Sequence, residues 1–564
     1  MPGHDAMREE RDVAIKMRDG TILQADVFRP LGNGEHPTLV IRTPYGDDLP
    51  QTSVPAWVAA GYAVVVQDCR GRWRSSGEWT PFVVEPADGY DTIEWAARQS
   101  WSDGNVGTTG FSYLGLTQTM TALAAPPSLR SAVPASAAAR PYRFVHSAGG
   151  VPQLSFPVGW MADVARNTAE RTAFDDDLLA VLPSFGAAAV AFRDHGPEAA
   201  LEVRRAIARA HRAVCGTRPL RSLTMIGALA PWVLDWFDHP DERDSYWADV
   251  DLLAHADRIT TPMLHIAGWF DFFVDEALAM FSALNSRGVP QHIVIGPWFH
   301  GSFGGRQSGD VDFGAAASAD LFTIERRWHD HWLRGIDTGA LDEAPVRLFV
   351  MGDDVWRDEQ EWPLARTDWQ RWHFHADSRL ARSAPAGRAA PPSTYDHDPD
   401  DPAPMWGGRP GQSGRSGSYD QLQREARADV LSFTSDVLQQ RVEVTGPVRA
   451  EVWASSSAGS LDLVVTLVDV HPDGAAMNVT EGASRVGGPF PMRVDVELFS
   501  TSYAFAAGHR LRIDVASSAT PQYLPNPGTD VAIGADGPGE GVVARQTVFH
   551  DTARPSVIVL PVIP

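Results

Sequence analysis

Apolar and polar positions follow three different rhythms along this chain, and each predicts a different architecture. In the first stretch, short continuous apolar runs at 38–42, 63–68 and 106–109 read as buried strands. Residues 55–61, 89–98 and 114–125 carry apolar groups at helical spacing. Such alternation predicts parallel strands joined by crossover helices, the α/β class. The same rhythm resumes with apolar runs at 263–267 and 292–296, a helix over 274–287 between them, and a Trp-rich helix at 321–333. From about 143 to 250 the strand runs vanish and helical stretches such as 199–214 and 221–237 take over. An insertion that is helical throughout reads as a cap over a site. Its Trp160, Trp232 and Trp236 either face a substrate or pack as core.

The third rhythm begins after Trp362. A stretch rich in Pro, Ala and Gly, 384–418, leads into strict period-two segments at 441–444, 461–467, 493–498 and 511–515. Many such strands separated by turn residues indicate a sandwich or jelly roll. The predicted division is a core in two parts, 1–142 and 251–353, a helical insertion at 143–250, and a C-terminal β domain at 354–564. A chain of 564 residues exceeds what one hydrophobic core supports, which agrees with several domains. No internal repeat at a fixed period is present.

Charge narrows the function classes. A formal net charge of -23 argues against nucleic-acid binding, which needs clustered Lys and Arg to neutralise phosphates. No apolar run is long enough to span a bilayer, and residues 1–12 are charged where a secretory signal would be apolar. The expectation is a cytoplasmic protein without membrane partners. Its 2 cysteines, Cys69 and Cys215, fit a reducing compartment, and Cys69 is expected to pack as a small hydrophobe.

The candidate chemistry lies where strands end. Residues 110–115 read Gly-Phe-Ser-Tyr-Leu-Gly, between a predicted strand and a predicted helix. A serine at such a turn is how a hydrolase exposes a nucleophile: small residues permit the sharp bend, and the next amide faces the developing oxyanion. Leu114 occupies the place where a G-x-S-x-G elbow has its second glycine, which here comes one residue later at Gly115. Asp271 follows the run at 263–267, and His300 follows the run at 292–296. The order Ser112, Asp271, His300, each beyond a strand, is that of an α/β-hydrolase triad. Taken singly, Asp271 also suits the N-cap of the helix after it, and His300 also suits an ordinary loop. His329 and His331 flank Asp330, but positions i and i+2 diverge on a helix, so structural roles are expected rather than a metal site.

With these motifs in view, the chain resembles the family of cocaine esterase, X-Pro dipeptidyl-peptidase and the α-amino acid ester and glutaryl acylases, most closely its cocaine-esterase-like branch. The likeness rests on residues 17–21, Arg42-Thr43-Pro44-Tyr45, Asp68-Cys69-Arg70-Gly71, 110–115, Gly268-Trp269-Phe270-Asp271 and Gly296-Pro297-Trp298-Phe299-His300, with further matches at 328–335, 350–352, 402–408 and 429–435. The resemblance implies an α/β-hydrolase core with an inserted helical cap and a C-terminal β jelly roll. It also implies that Tyr45 donates its hydroxyl to the oxyanion beside the Tyr113 amide. No metal or organic cofactor is expected in the reaction.

The family cleaves esters or amides, and its branches differ in how they hold the acyl group. Those that bind a substrate ammonium need carboxylates near the nucleophile. Here Asp271 is followed by Phe272, Phe273 and Val274, with acids only at Asp275 and Glu276, which favours an uncharged, aromatic acyl group. By resemblance Phe273 lines the acyl pocket, with Trp160 and Trp406 as candidate neighbours. The leading expectation is ester hydrolysis through an acyl-enzyme. Amide hydrolysis and acyl transfer are alternatives on the same residues, and a glycan- or surface-binding protein with a vestigial core is the alternative from another class. The expected partner is a small-molecule ester or amide, and any self-association is expected to be a homodimer.

Overall fold

The computed structural model describes residues 7–46, 53–172, 191, 195–386, 391–410 and 415–564. The first residues of the charged start, parts of the predicted insertion and two short pieces of the Pro/Ala/Gly-rich stretch lie outside them. The core strands are Met7–Lys16 (β1), Ile22–Pro30 (β2), His36–Thr43 (β3), Ala63–Asp68 (β4), Ser102–Phe111 (β5), Leu129–Ala135 (β6), Met263–Phe270 (β7), Gln291–Phe299 (β8), Val346–Val350 (β9) and Val355–Glu359 (β10). They form one 10-stranded sheet in the order β1-β2-β4-β3-β5-β6-β7-β8-β9-β10. From β4 to β9 every neighbouring pair is parallel, and β1, β2 and β10 add antiparallel edges. β3, β4 and β7 are buried along their whole length or nearly so, as strands covered on both faces must be.

This topology places chemistry at one rim. β3, β5, β6, β7 and β8 are consecutive neighbours, and just past their carboxyl ends stand Tyr45, Ser112, Ser136, Asp271 and His300. Two predicted strands run longer than their apolar cores: β7 continues to Phe270 and β8 to Phe299, so Asp271 and His300 follow their strands directly. The sheet also runs on to Glu359, past the residue 353 at which the sequence pattern ends the core.

The helical cap enters between β6 and β7. Ser155–Thr172 and Pro197–Cys215 are its long described helices. The single helix predicted over 221–237 is instead three short pieces, Leu220–Ser222, Thr224–Leu229 and Trp232–Asp238. Pro231 accounts for the last break, since it cannot donate to a continuing helix.

The C-terminal domain is a closed barrel of the jelly-roll type. Val442–Ser456, Met492–Phe505, Ala476–Gly487, Ser460–Val470, Arg510–Ala516, Leu431–Ser435, Arg379–Ala381, Asp368–Phe374 and Val557–Ile563 pair in that order, and the last returns to the first. Alternate residues such as Val448, Ala450 and Val452, with Leu463, Val465 and Leu467, fill its interior. Closure removes the free edges that an open sheet would expose. Among the described residues, no helix is long and apolar enough to cross a membrane.

Candidate active site

Ser112 sits at a strained turn between β5 and the helix Tyr113–Leu123, with φ 61° and ψ -127°, a conformation that costs a non-glycine residue energy. The flanking glycines make the turn possible. A Cβ on Gly110, where φ is 137°, would lie 2.7 Å from the Leu114 Cβ, and one on Gly115 would lie 2.6 Å from the Ala135 carbonyl oxygen. Gly115, one turn-position later than expected, is therefore the point at which the helix presses on the end of β6. Leu114 is tolerated because Gly110 leaves it room.

From Ser112 a chain of hydrogen bonds runs across the rim. His300 Nε2 lies 3.0 Å from Ser112 Oγ, and His300 Nδ1 lies 3.0 Å from Asp271 Oδ2. Ser136 joins them from the end of β6: its hydroxyl donates to Asp271 Oδ2 at 2.5 Å and stands 2.9 Å from His300 Nδ1. With oxygen acceptors on the Nδ1 side, the network assigns the ring proton to Nδ1 and leaves the Nε2 lone pair facing the serine. Asp271 is fully buried, and its Oδ1 accepts the Phe273 amide at 2.7 Å. It thus supports the entry to the helix Val274–Asn285 while its other oxygen meets the histidine. The His300 ring is packed by Phe272, 4.5 Å between centroids, and Phe156, 5.4 Å.

On the opposite side of Ser112 stands Tyr45, which burial pushes well above the ordinary phenol range, so it is a proton-bearing donor at any physiological pH. Its hydroxyl is hydrogen-bonded to Ser112 and accepts the Trp160 indole N–H at 2.7 Å. With the serine hydrogen directed to His300 Nε2, the phenolic hydrogen is the one available between Tyr45 and Ser112. Tyr113 is the first residue of its helix, where backbone N–H groups have no acceptor within the helix. Its side chain is anchored at the hydroxyl, which donates to Glu85 at 2.9 Å and accepts the Phe82 amide at 3.0 Å.

Beside Ser112 is a small pocket walled by Phe82, Tyr113, Leu116, Ala138, Phe144, Phe156, Trp160 and Phe273. None of the lining residues, among those described, is acidic or basic. The acids that follow in sequence are engaged elsewhere: Asp275 accepts the Ser500 amide of the barrel, and Glu276 is paired with Arg140. Trp160 and Phe273 are among the residues that line this space. The Trp406 ring lies against the Arg415 guanidinium, 5.1 Å away. Trp232 and Trp236 form a second layer, packing on Trp160 at 5.6 and 6.4 Å.

The remaining residues singled out from the sequence are structural. His329 Nδ1 meets Ser131 at 2.7 Å, and Asp330 accepts the Tyr62 hydroxyl and pairs with Arg334. Cys69 and Cys215 are both buried and free of disulfides. Sequence reasoning did not find Ser136, which lies in the run Ala135-Ser136-Ala137-Ala138-Ala139 with no pattern to mark it.

A parallel sheet with a serine elbow at its rim, a helical cap above it and a β barrel behind defines an α/β-hydrolase. Residues 19–302 match the family described as X-Pro dipeptidyl-peptidase (S15 family), and residues 338–559 match the X-Pro dipeptidyl-peptidase C-terminal non-catalytic domain. The chain is 34% identical to the cocaine esterase of Rhodococcus sp. (strain MB1 Bresler), over 98% of each chain. An α-amino acid ester hydrolase structure shares the fold with a TM-score of 0.79 at 23% identity, covering 99% of this chain and 97% of the other. So does a CocE/NonD family hydrolase from Staphylococcus aureus, with a TM-score of 0.68 at 17% identity, covering 99% and 94%. The chain belongs to the X-Pro dipeptidyl-peptidase (S15) family.

Proposed function

We propose that this protein is a serine carboxylic ester hydrolase acting on esters with an uncharged, aromatic acyl group. The observation that carries the proposal is the hydrogen-bonded series Asp271, His300, Ser112 ending at the wall of an apolar, acid-free pocket. In the proposed reaction His300 Nε2 takes the Ser112 proton as Oγ attacks the ester carbonyl. Asp271 and Ser136 keep the proton on Nδ1, and Asp271 stabilises the imidazolium that forms. The Tyr45 hydroxyl and the Tyr113 amide receive the negative charge of the tetrahedral oxygen as it develops. The imidazolium returns its proton to the leaving alcohol, and water then attacks the acyl-enzyme by the same route.

Two further points support esters over α-amino amides. A substrate ammonium would meet only aromatic and aliphatic walls, and burying it without a partner is costly. The 34% identical relative also bears the name of an esterase. The deciding experiment compares a p-nitrophenyl ester with the matching p-nitroanilide, using the purified protein and its Ser112→Ala variant. Ester cleavage by the unmodified protein alone, with the anilide at least about 100-fold slower, is the expected outcome. Comparable anilide turnover would transfer the assignment to amide hydrolysis. Activity surviving in Ser112→Ala would end it.

A further inference from the structure

Far along the chain from these residues, the barrel brings together Asp469, His471 and His509, and we infer that they form a binding site for a divalent borderline cation, Zn²⁺ foremost. The strand register makes the cluster. Ser460–Val470 and Arg510–Ala516 are antiparallel, with Asp469 opposite Leu511 and Val470 opposite Arg510. Extending that register by one residue sets His471 opposite His509, and the period of two puts Asp469 on the same face. Leu511 belongs to the barrel interior, so the three side chains converge at the inner edge of one mouth of the barrel.

The geometry suits an ion. One ligand atom from each residue lies within 4.8 Å of the others. His509 Nδ1 is 2.9 Å from both Asp469 oxygens, and His471 Nε2 is 3.4 Å from Asp469 Oδ2. Ligand atoms about 2.0–2.1 Å from a common zinc ion are spaced by about 2.9–3.4 Å for bond angles between right and tetrahedral. His471 Nε2 is a buried atom with no hydrogen-bond partner. The imidazole centroids are 4.5 Å apart, so both rings approach the one carboxylate from adjacent positions. One dication placed among them would be ligated by two imidazoles and a carboxylate. Asp469 is itself oriented by the Tyr503 hydroxyl, which donates to Oδ2 at 2.9 Å, as outer groups commonly orient metal ligands. The His471 side chain is 34% exposed, so the cluster lies close to the protein surface. Two imidazoles with one carboxylate suit zinc better than calcium or magnesium, which prefer oxygen.

The experiment titrates ZnCl₂ into the chelator-stripped full-length protein by calorimetry, with metal content measured after desalting and Tm followed in parallel. One zinc per chain, a Kd in the micromolar range or below, and a rise in Tm are expected. His471→Ala and His509→Gln should each weaken binding by more than about 100-fold, and Tyr503→Phe by about 10-fold. Ester turnover by His471→Ala should match that of the unmodified protein. No saturable zinc binding, or binding that both histidine variants retain, would overturn the inference and leave an ordinary ion-paired cluster. Should His509→Gln fail to fold, the more exposed His471→Ala still decides.

Discussion

Single side chains divide the proposed work at the rim unequally. Tyr45 is asked to hold charge that exists only in the transition state, so Tyr45→Phe is expected to lower kcat by about 100- to 1,000-fold with a small change in KM. Ser136 acts through its neighbours, orienting Asp271 and His300 by one hydrogen bond to each. Ser136→Ala is accordingly expected to cost about tenfold in kcat, the size of one well-placed hydrogen bond, with Ser136→Thr retaining more. Steady-state kinetics on one p-nitrophenyl ester would measure both. Ser112, Asp271 and His300 were legible in the sequence because each follows an apolar run that predicts a strand. Ser136 was not, because small polar residues in an Ala-rich run leave no periodic trace. The packing of the Trp406 ring on the Arg415 guanidinium likewise leaves no periodic trace.

At the scale of elements, β3, β4, β5, β7 and β8 were predicted within a few residues, whereas β1, β2, β6, β9 and β10 were missed. β1 is charged and largely exposed, as an edge strand that resists further pairing should be, and such a strand has no apolar run to announce it. The helix Leu321–Arg334 carries a different lesson, since it places two titratable groups of opposite tendency against the sheet. Glu325 accepts the Thr109 hydroxyl at 2.8 Å, and burial pushes its carboxyl up to about 7. His329 is pushed down to about 3 by burial. The folded state therefore holds a proton on Glu325 that the unfolded chain gives up near pH 4.5, so this group loses stability as pH rises to about 7. His329 does the reverse: the unfolded chain takes up a proton below pH 6.5 that the folded state refuses until about 3, so stability is lost as pH falls. Between about pH 4.5 and 6.5 the two slopes, each up to about 1.4 kcal/mol per pH unit, oppose one another. Urea unfolding of Glu325→Gln should show the variant gaining on the unmodified protein as pH rises through this window. His329→Gln should gain as pH falls.

Across the whole molecule, the barrel reaches into the hydrolase core at the strand that delivers Asp271. Arg409 is fully buried, donates to the Trp269 carbonyl, and pairs with Glu481 of the barrel at 2.9 Å. Its guanidinium also lies over the Phe499 ring, 4.3 Å away. Arg409→Met would strand Glu481 in the interior and is expected to cost about 3–5 kcal/mol, seen as a fall in Tm, with part of it regained in the Arg409→Met, Glu481→Gln double variant. The sequence shows two domains here but not their joint, because partners 72 residues apart form no local pattern. The cap also meets the rim through a hydrogen bond of another kind, from the Trp160 indole to the Tyr45 hydroxyl. Under the proposed mechanism one tryptophan both shapes the space for the acyl group and aims the oxyanion donor. Widening the pocket at position 160 would therefore admit bulkier substrates only by slowing every one of them, so new specificities are expected to arise first through Phe144 and Phe273, whose rings shape the same wall without holding the donor.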